Sequence, residues 1–182
     1  MSHLTGKRVA VLATDGFEDS ELTEPISAVQ EHGAEVIVVS TKTGSITGKN
    51  GHEQEVSLTS ADANASEFDA LVLPGGVVNG DQIRLDADAV AFTKDFFAQH
   101  KPVGAICHGG WILADADVLK GRTVTSYASL RTDLQNAGAT WVDEEVVVDQ
   151  GLVTSRTPDD LPAFNAKLVE EIGEGEHPGQ TA

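Results

Sequence analysis

At 182 residues, 40% of them hydrophobic and 23% charged, the chain has the size and composition of one globular domain whose core needs no covalent staples. Twenty-nine acidic residues against twelve basic ones give a formal charge of −17, which works against binding nucleic acid or an anionic membrane surface. One cysteine excludes an intrachain disulfide. With neither an 18-residue apolar run nor a basic-then-apolar leader, the cytoplasm is the expected compartment.

The first apolar runs, KRVAVLA (7–13) and AEVIVVS (34–40), are short and Val-bearing, as expected of strands buried on both faces. Between them Leu22, Ile26 and Val29 recur at helical spacing, and Gly33 stands where a helix would stop. Asn50-Gly51, in a polar Gly-rich stretch from 43 to 55, predicts a turn or hairpin. Two further strands, DALVLPGG (69–76) and KPVGAIC (101–107), flank a helix marked by Ala89, Phe92 and Phe96. A third helical segment is expected from the cysteine to Leu119. In EEVVVDQGLVTSR (144–156), two Val-containing arms around Asp149-Gln150-Gly151 predict a short antiparallel hairpin. Leu161, Phe164, Leu168 and Ile172 give the last helix one apolar stripe, with Asp159 and Asp160 at its start after Pro158. The tail GEGEHPGQTA (173–182) has no periodicity and is expected to be mobile.

There is no repeat and no long linker, so residues 1–182 read as one domain with a core over about 7–172. Alternating strands and helices predict an α/β sandwich around a mostly parallel sheet, with a small antiparallel hairpin. Sites in such sheets lie beyond the carboxyl ends of the strands. That rule gathers residues Asp15 to Glu18, Pro74 to Gly76 and Cys107 to Gly110 on one edge.

Cys107 falls where a buried strand ends and a helix should begin, the position of a nucleophile elbow. A helix N-terminus would also favour its thiolate and lower its pKa. A cysteine packed as a small hydrophobe in a tight corner is the other reading. His108 could serve the thiol as base or acid, provided that irregular backbone brings the two side chains together and a carboxylate orients the ring. The amides of Gly75 and Gly76, with that of His108, form a candidate oxyanion hole, or else Pro74-Gly75-Gly76 is a plain turn. Glu18, beside Asp19, suits a helix start; desolvated near Cys107 it would instead stay protonated and donate to sulfur. His3, His32, His52, His100 and His177 have no metal-ligand spacing and read as surface or loop residues, so no metal is expected. Without a G-x-G-x-x-G after the first strand, dinucleotide binding is disfavoured.

The ordered set Gly16-Phe17-Glu18-Asp19, Leu73-Pro74-Gly75-Gly76, Ala105-Ile106-Cys107-His108-Gly109, Thr125-Ser126-Tyr127, Asn136-Ala137-Gly138, Trp141-Val142-Asp143 and Ser155-Arg156-x-Pro158-x-Asp160-Leu161 resembles one family. It is the PfpI-type intracellular cysteine peptidase branch of the superfamily that includes the Parkinsonism-associated deglycase. The likeness runs from about Lys7 to Ile172. It implies a flavodoxin-like sandwich, a nucleophilic thiol at Cys107, a carboxyl contact from Glu18, and amide donors at Gly76 and His108. It further implies peptidase, glyoxalase or deglycase activity without an added cofactor, a link with stress tolerance, and a homo-oligomer (dimer or hexamer). In that assembly a neighbouring chain supplies the acid of the triad. Aligned on Ile83-Arg84-Leu85, the acid position is Asp81, in a loop one residue longer and with a side chain one methylene shorter than the family's glutamate. The expected enzyme is a cysteine hydrolase for small reactive carbonyls or glycated adducts, with peptides as further substrates. The alternative is a redox-sensing thiol or a holdase-like stress protein.

Overall fold

The computed structural model describes residues 3–182. In chain order the elements are β1 (Arg8–Leu12), α1 (Asp19–Glu31), β2 (Glu35–Ser40), β3 (Ser45–Thr47), β4 (Glu53–Glu55), β5 (Leu58–Thr59), β6 (Ala70–Leu73), α2 (Val77–Ile83), α3 (Ala87–Ala98) and β7 (Val103–Ile106). They continue with α4 (Trp111–Asp115), β8 (Thr123–Val124), α5 (Arg131–Asn136), β9 (Thr140–Trp141), β10 (Val147–Asp149), β11 (Leu152–Ser155) and α6 (Leu161–Glu174).

Seven strands form the central sheet in the order β10-β11-β7-β6-β1-β2-β5. Every pairing is parallel except that of β10 with β11, the hairpin around Gln150. Alternation along β1 explains the three layers. Val9 and Val11 face a core with Leu22 and Val29 of α1 and Phe164 and Leu168 of α6. Ala10 and Leu12 face the other core, with Phe92 and Phe96 of α3 and Leu113 of α4. Strands covered on both faces need apolar side chains at every position, and this is why they read as continuous runs. The result is a flavodoxin-like α/β sandwich. No helix among the described residues is long and apolar enough to cross a membrane.

Four features differ from the sequence reading. Helix α2 was not expected, because VVNGDQI has no apolar stripe; it is held by Gly80, where a Cβ would come within 2.8 Å of the His108 carbonyl oxygen. The segment after Cys107 is a tight 3-10 turn over Cys107–Gly110 followed by the short α4, and the chain leaves it at Asp117 with φ 57°. The parallel pair β8–β9 is too short for alternation to reveal.

The fourth is the tail expected to be mobile, which is docked across the start of β7. The His177 amide donates to the His100 carbonyl (2.7 Å), the fully buried Gln180 donates to the Lys101 carbonyl (3.1 Å), and Arg122 donates to the Thr181 carbonyl (3.2 Å). A polar segment without periodicity is pinned here by bonds to residues remote in sequence, His100, Lys101 and Arg122.

Candidate active site

β1, β6 and β7 are neighbours in the sheet, so the loops at their carboxyl ends share one edge. The glycine at 76, with φ 97°, lets two of these loops touch: a Cβ there would overlap the Gly16 carbonyl and lie 2.7 Å from the Glu18 amide. Asn79 of α2 rivets the same region. Its buried amide donates to the carbonyls of Pro74 (3.0 Å) and Gly75 (3.1 Å), and its Oδ1 accepts from the Thr14 amide (2.7 Å). The β3–β4 hairpin is pinned alongside: Asp15 accepts from the Thr47 amide and Asp19 from the amides of Asn50 and His52.

Cys107 sits at the turn with φ 61°, a left-handed conformation that a non-glycine residue holds only when its surroundings enforce it. This irregular backbone answers the objection that consecutive side chains diverge. The sulfur lies 3.2 Å from His108 Nδ1, and the amides of Gly76 and His108 both donate to it. The thiol is only 8% exposed. On its outer side the imidazole meets the Ser129 hydroxyl (Nε2 to Oγ, 3.4 Å) and stacks on Tyr127 with ring centres 4.7 Å apart. Burial, reinforced by Lys49, holds the pKa of His108 below its ordinary 6.5, so the ring is neutral at pH 7.

The carboxyl that meets the thiol is Glu21, not Glu18. Glu18 stands just before α1 and pairs with Lys49 (2.5 Å), on the outer side of the site. Glu21, inside the first turn, is fully buried. Its Oε1 accepts from the Gly75 amide (3.0 Å), its Oε2 is buried with no hydrogen-bond partner among the described residues, and the carboxyl lies beside the Cys107 thiol and interacts with it. A buried oxygen of this kind is best satisfied when the group keeps its proton and donates it towards sulfur. Burial, with the Glu18 charge adding to it, raises Glu21 to about 8. One signal could have found it: with Leu22, Pro25 and Val29 it forms the buried side of α1, and a carboxylate in such a stripe marks a site.

Two further expectations change. The Gly75 amide is taken by Glu21, so Gly76 and His108 are the amides that remain at the sulfur. The thiol pKa is not lowered: burial, then the Glu21 carboxyl, pushes it up to about 12 against the pull of the two amides. The 3-10 turn that follows offers too little aligned backbone to reverse this. Asp81 lies exposed on α2 and accepts from Gln82 (2.8 Å).

His177, read from sequence as a surface residue, is largely buried against Glu171 (3.3 Å) near Glu174. Among the described residues these three alone could hold a metal ion together. They lie at the opposite sheet edge from Cys107, since His177 pairs with His100 before β7 begins.

The DJ-1/PfpI family model matches residues 7–171. The chain is 49% identical over 164 residues to the putative cysteine protease YraA of Bacillus subtilis, covering 90% of this chain and 96% of that one. It is 47% identical over 171 residues to protein/nucleic acid deglycase 2 of Escherichia coli, covering 92% and 98%. Among solved structures, DJ-1beta of Drosophila melanogaster superposes with a TM-score of 0.84 at 26% identity, over 92% of this chain and 90% of that one. A match that spans both the sheet and the three loops around Cys107 leaves one assignment: the chain belongs to the DJ-1/PfpI family.

Proposed function

We propose that the protein is a thiol-dependent enzyme that takes small reactive carbonyls, such as methylglyoxal, and the adducts they form with amines, in a stress-protective role. The observation that carries this reading is the convergence of four groups on one buried sulfur: the His108 imidazole, the Glu21 carboxyl and the two amides. The names of the relatives, deglycase and cysteine protease, support the same class of chemistry.

The turn at Cys107 is read as a nucleophile elbow. The sulfur adds to the aldehyde carbon while its proton passes to neutral His108 Nδ1. The alkoxide that forms on that carbon is within reach of the amides at the sulfur and receives a proton from Glu21, giving a hemithioacetal. With methylglyoxal, the Glu21 carboxylate then removes the proton on the sulfur-bearing carbon and that proton is returned to the adjacent carbonyl carbon, while the hydroxyl proton of the hemithioacetal passes to the oxygen of that carbonyl. The aldehyde carbon is oxidised to a thioester as its neighbour is reduced to an alcohol, so only water is needed to release lactate. Nucleophile, base and acid all come from the chain, and no added cofactor is needed.

A thiol 8% exposed favours small substrates over folded polypeptides. A buried, neutral thiol is also poorly suited to a redox sensor, which works through an accessible thiolate. The homo-oligomer reading draws on α2 and the turn after it, where Val77, Val78 and Leu85 are exposed apolar side chains on either side of Asp81 in sequence. There a second copy would bring the Asp81 carboxylate to His108.

Methylglyoxal consumption in reducing buffer, wild type beside Cys107→Ala, tests the reading. The variant is expected to lose at least about a hundredfold in kcat/KM. No turnover by reduced wild type, or equal turnover by both, would overturn it. The rate should also be bell-shaped in pH. It rises as His108 deprotonates below its ordinary 6.5 and falls as Glu21 ionises near 8. A profile still climbing through pH 9 would show that the Glu21 proton is not used.

A further inference from the structure

We propose that Arg156, with Trp141 and Tyr127, forms a subsite for a carboxylate carried by the substrate, so that the enzyme favours carbonyl adducts of free amino acids over those of their amides. This deepens the function proposed above and rests on it for the chemistry, though not for the binding.

A cavity of about 300 Å³ lies between the loop after β8, strand β9 and the end of β11, lined by Ser126, Tyr127, Trp141, Asp143, Arg156 and Thr157. Tyr127 is the wall it shares with the thiol site. Its amide donates to the Cys107 carbonyl (3.2 Å), its ring stacks on His108, and it is 41% exposed. Trp141 is fixed by a bond from Nε1 to the Ser126 hydroxyl (3.0 Å).

The Arg156 fork is used unequally. Nε and Nη2 donate to Asp160 (2.9 and 3.0 Å), whose side chain is 4% exposed, and this pair holds the guanidinium in place. Nη1 donates to Asp143 (2.9 Å), whose side chain is 71% exposed and has no other hydrogen bond among the described residues. An exposed ion pair of this kind contributes little, because water screens it. A substrate carboxylate can therefore take its place, exchanging one charge-assisted bond for another while Asp143 returns to water.

Charge points the same way. Arg131 lies over the Trp141 ring at 5.9 Å and has no carboxylate partner among the described residues. In a chain with a formal charge of −17, a second guanidinium thus stands by Trp141, one wall of the cavity that Arg156 lines. Once Asp143 leaves, Arg156 Nη1 is free to take a monoanion, while Asp160 keeps the other side of the fork. The aromatic walls suit the aliphatic stem that joins such a carboxylate to a carbonyl adduct at the thiol.

The test is calorimetric binding of Nα-acetylarginine and Nα-acetylargininamide to the wild-type protein, which needs no turnover. The acid is expected to bind about fivefold more tightly than the amide. Asp143→Asn, which removes the competing charge, should tighten the acid by a further few-fold and leave the amide unmoved. Arg131→Gln, beside the Trp141 wall, should weaken the acid alone. Equal binding of acid and amide, or a D143N effect common to both, would overturn the subsite. If acid binding is selective yet methylglyoxal is not consumed, the subsite stands and the carbonyl chemistry falls.

Discussion

Glu21→Gln is expected to make the protein more stable at pH 8 and nearly inactive. The fold raises this carboxyl from 4.5 to about 8, so between those values the native chain holds a proton that the unfolded chain has released. Stability carried by Glu21 is thus fully present below 4.5, erodes as pH rises, and is lost above about 8. The accumulated penalty is on the order of 3–5 kcal/mol at its upper bound. Glutamine keeps an acceptor for the Gly75 amide and can donate towards sulfur, but it never ionises. Melting temperatures from pH 5 to 9 should therefore start close together and separate, with the wild type falling below the variant. Because glutamine cannot pass a proton, kcat should drop by about a hundredfold or more. Parallel melting curves would mean that the carboxyl is not held neutral by the fold. An active variant would remove Glu21 from the chemistry. Gain of stability with loss of activity is the mark of a group buried for function.

Gly75→Ala should do the opposite, costing both stability and activity. An added Cβ would overlap Glu21 Oε1 and lie 2.8 Å from Cys107 Cβ and 2.9 Å from the Ile106 carbonyl oxygen. Two of these three are held by the backbone of the turn at Cys107, so the strain cannot be relieved by one rotamer change. Overpacking of this kind typically costs about 1–3 kcal/mol. The shift must also separate the carboxyl from the thiol, so turnover should fall by at least about tenfold. Gly110→Ala is the matched control, since a Cβ there meets nothing within 4 Å. Urea midpoints and methylglyoxal turnover for the two variants decide the matter. If they behave alike, the close approach at Gly75 has no energetic weight.

Much of this protein is legible in its sequence because the deciding physics is local. A strand covered on both faces must be apolar at each position, so β1, β2, β6 and β7 announce themselves as Val- and Ile-bearing runs. A parallel sheet places its sites at strand ends, and that rule alone gathers Gly76, Cys107 and His108. The single thiol at a strand end beside a histidine marks the candidate site.

Tertiary structure decided what depends on direction. Glu18 and Glu21 stand three residues apart at the start of one helix, and either suits that position by charge. Only the way α1 packs against the sheet turns Glu21 inward to be desolvated and leaves Glu18 with Lys49. That choice occupies the Gly75 amide and, with burial, reverses the expected shift of the thiol. The docked tail and the Arg156 cavity have the same origin. Their residues are remote in sequence, and a pattern read along the chain carries no distance between elements that meet only once the sheet has formed.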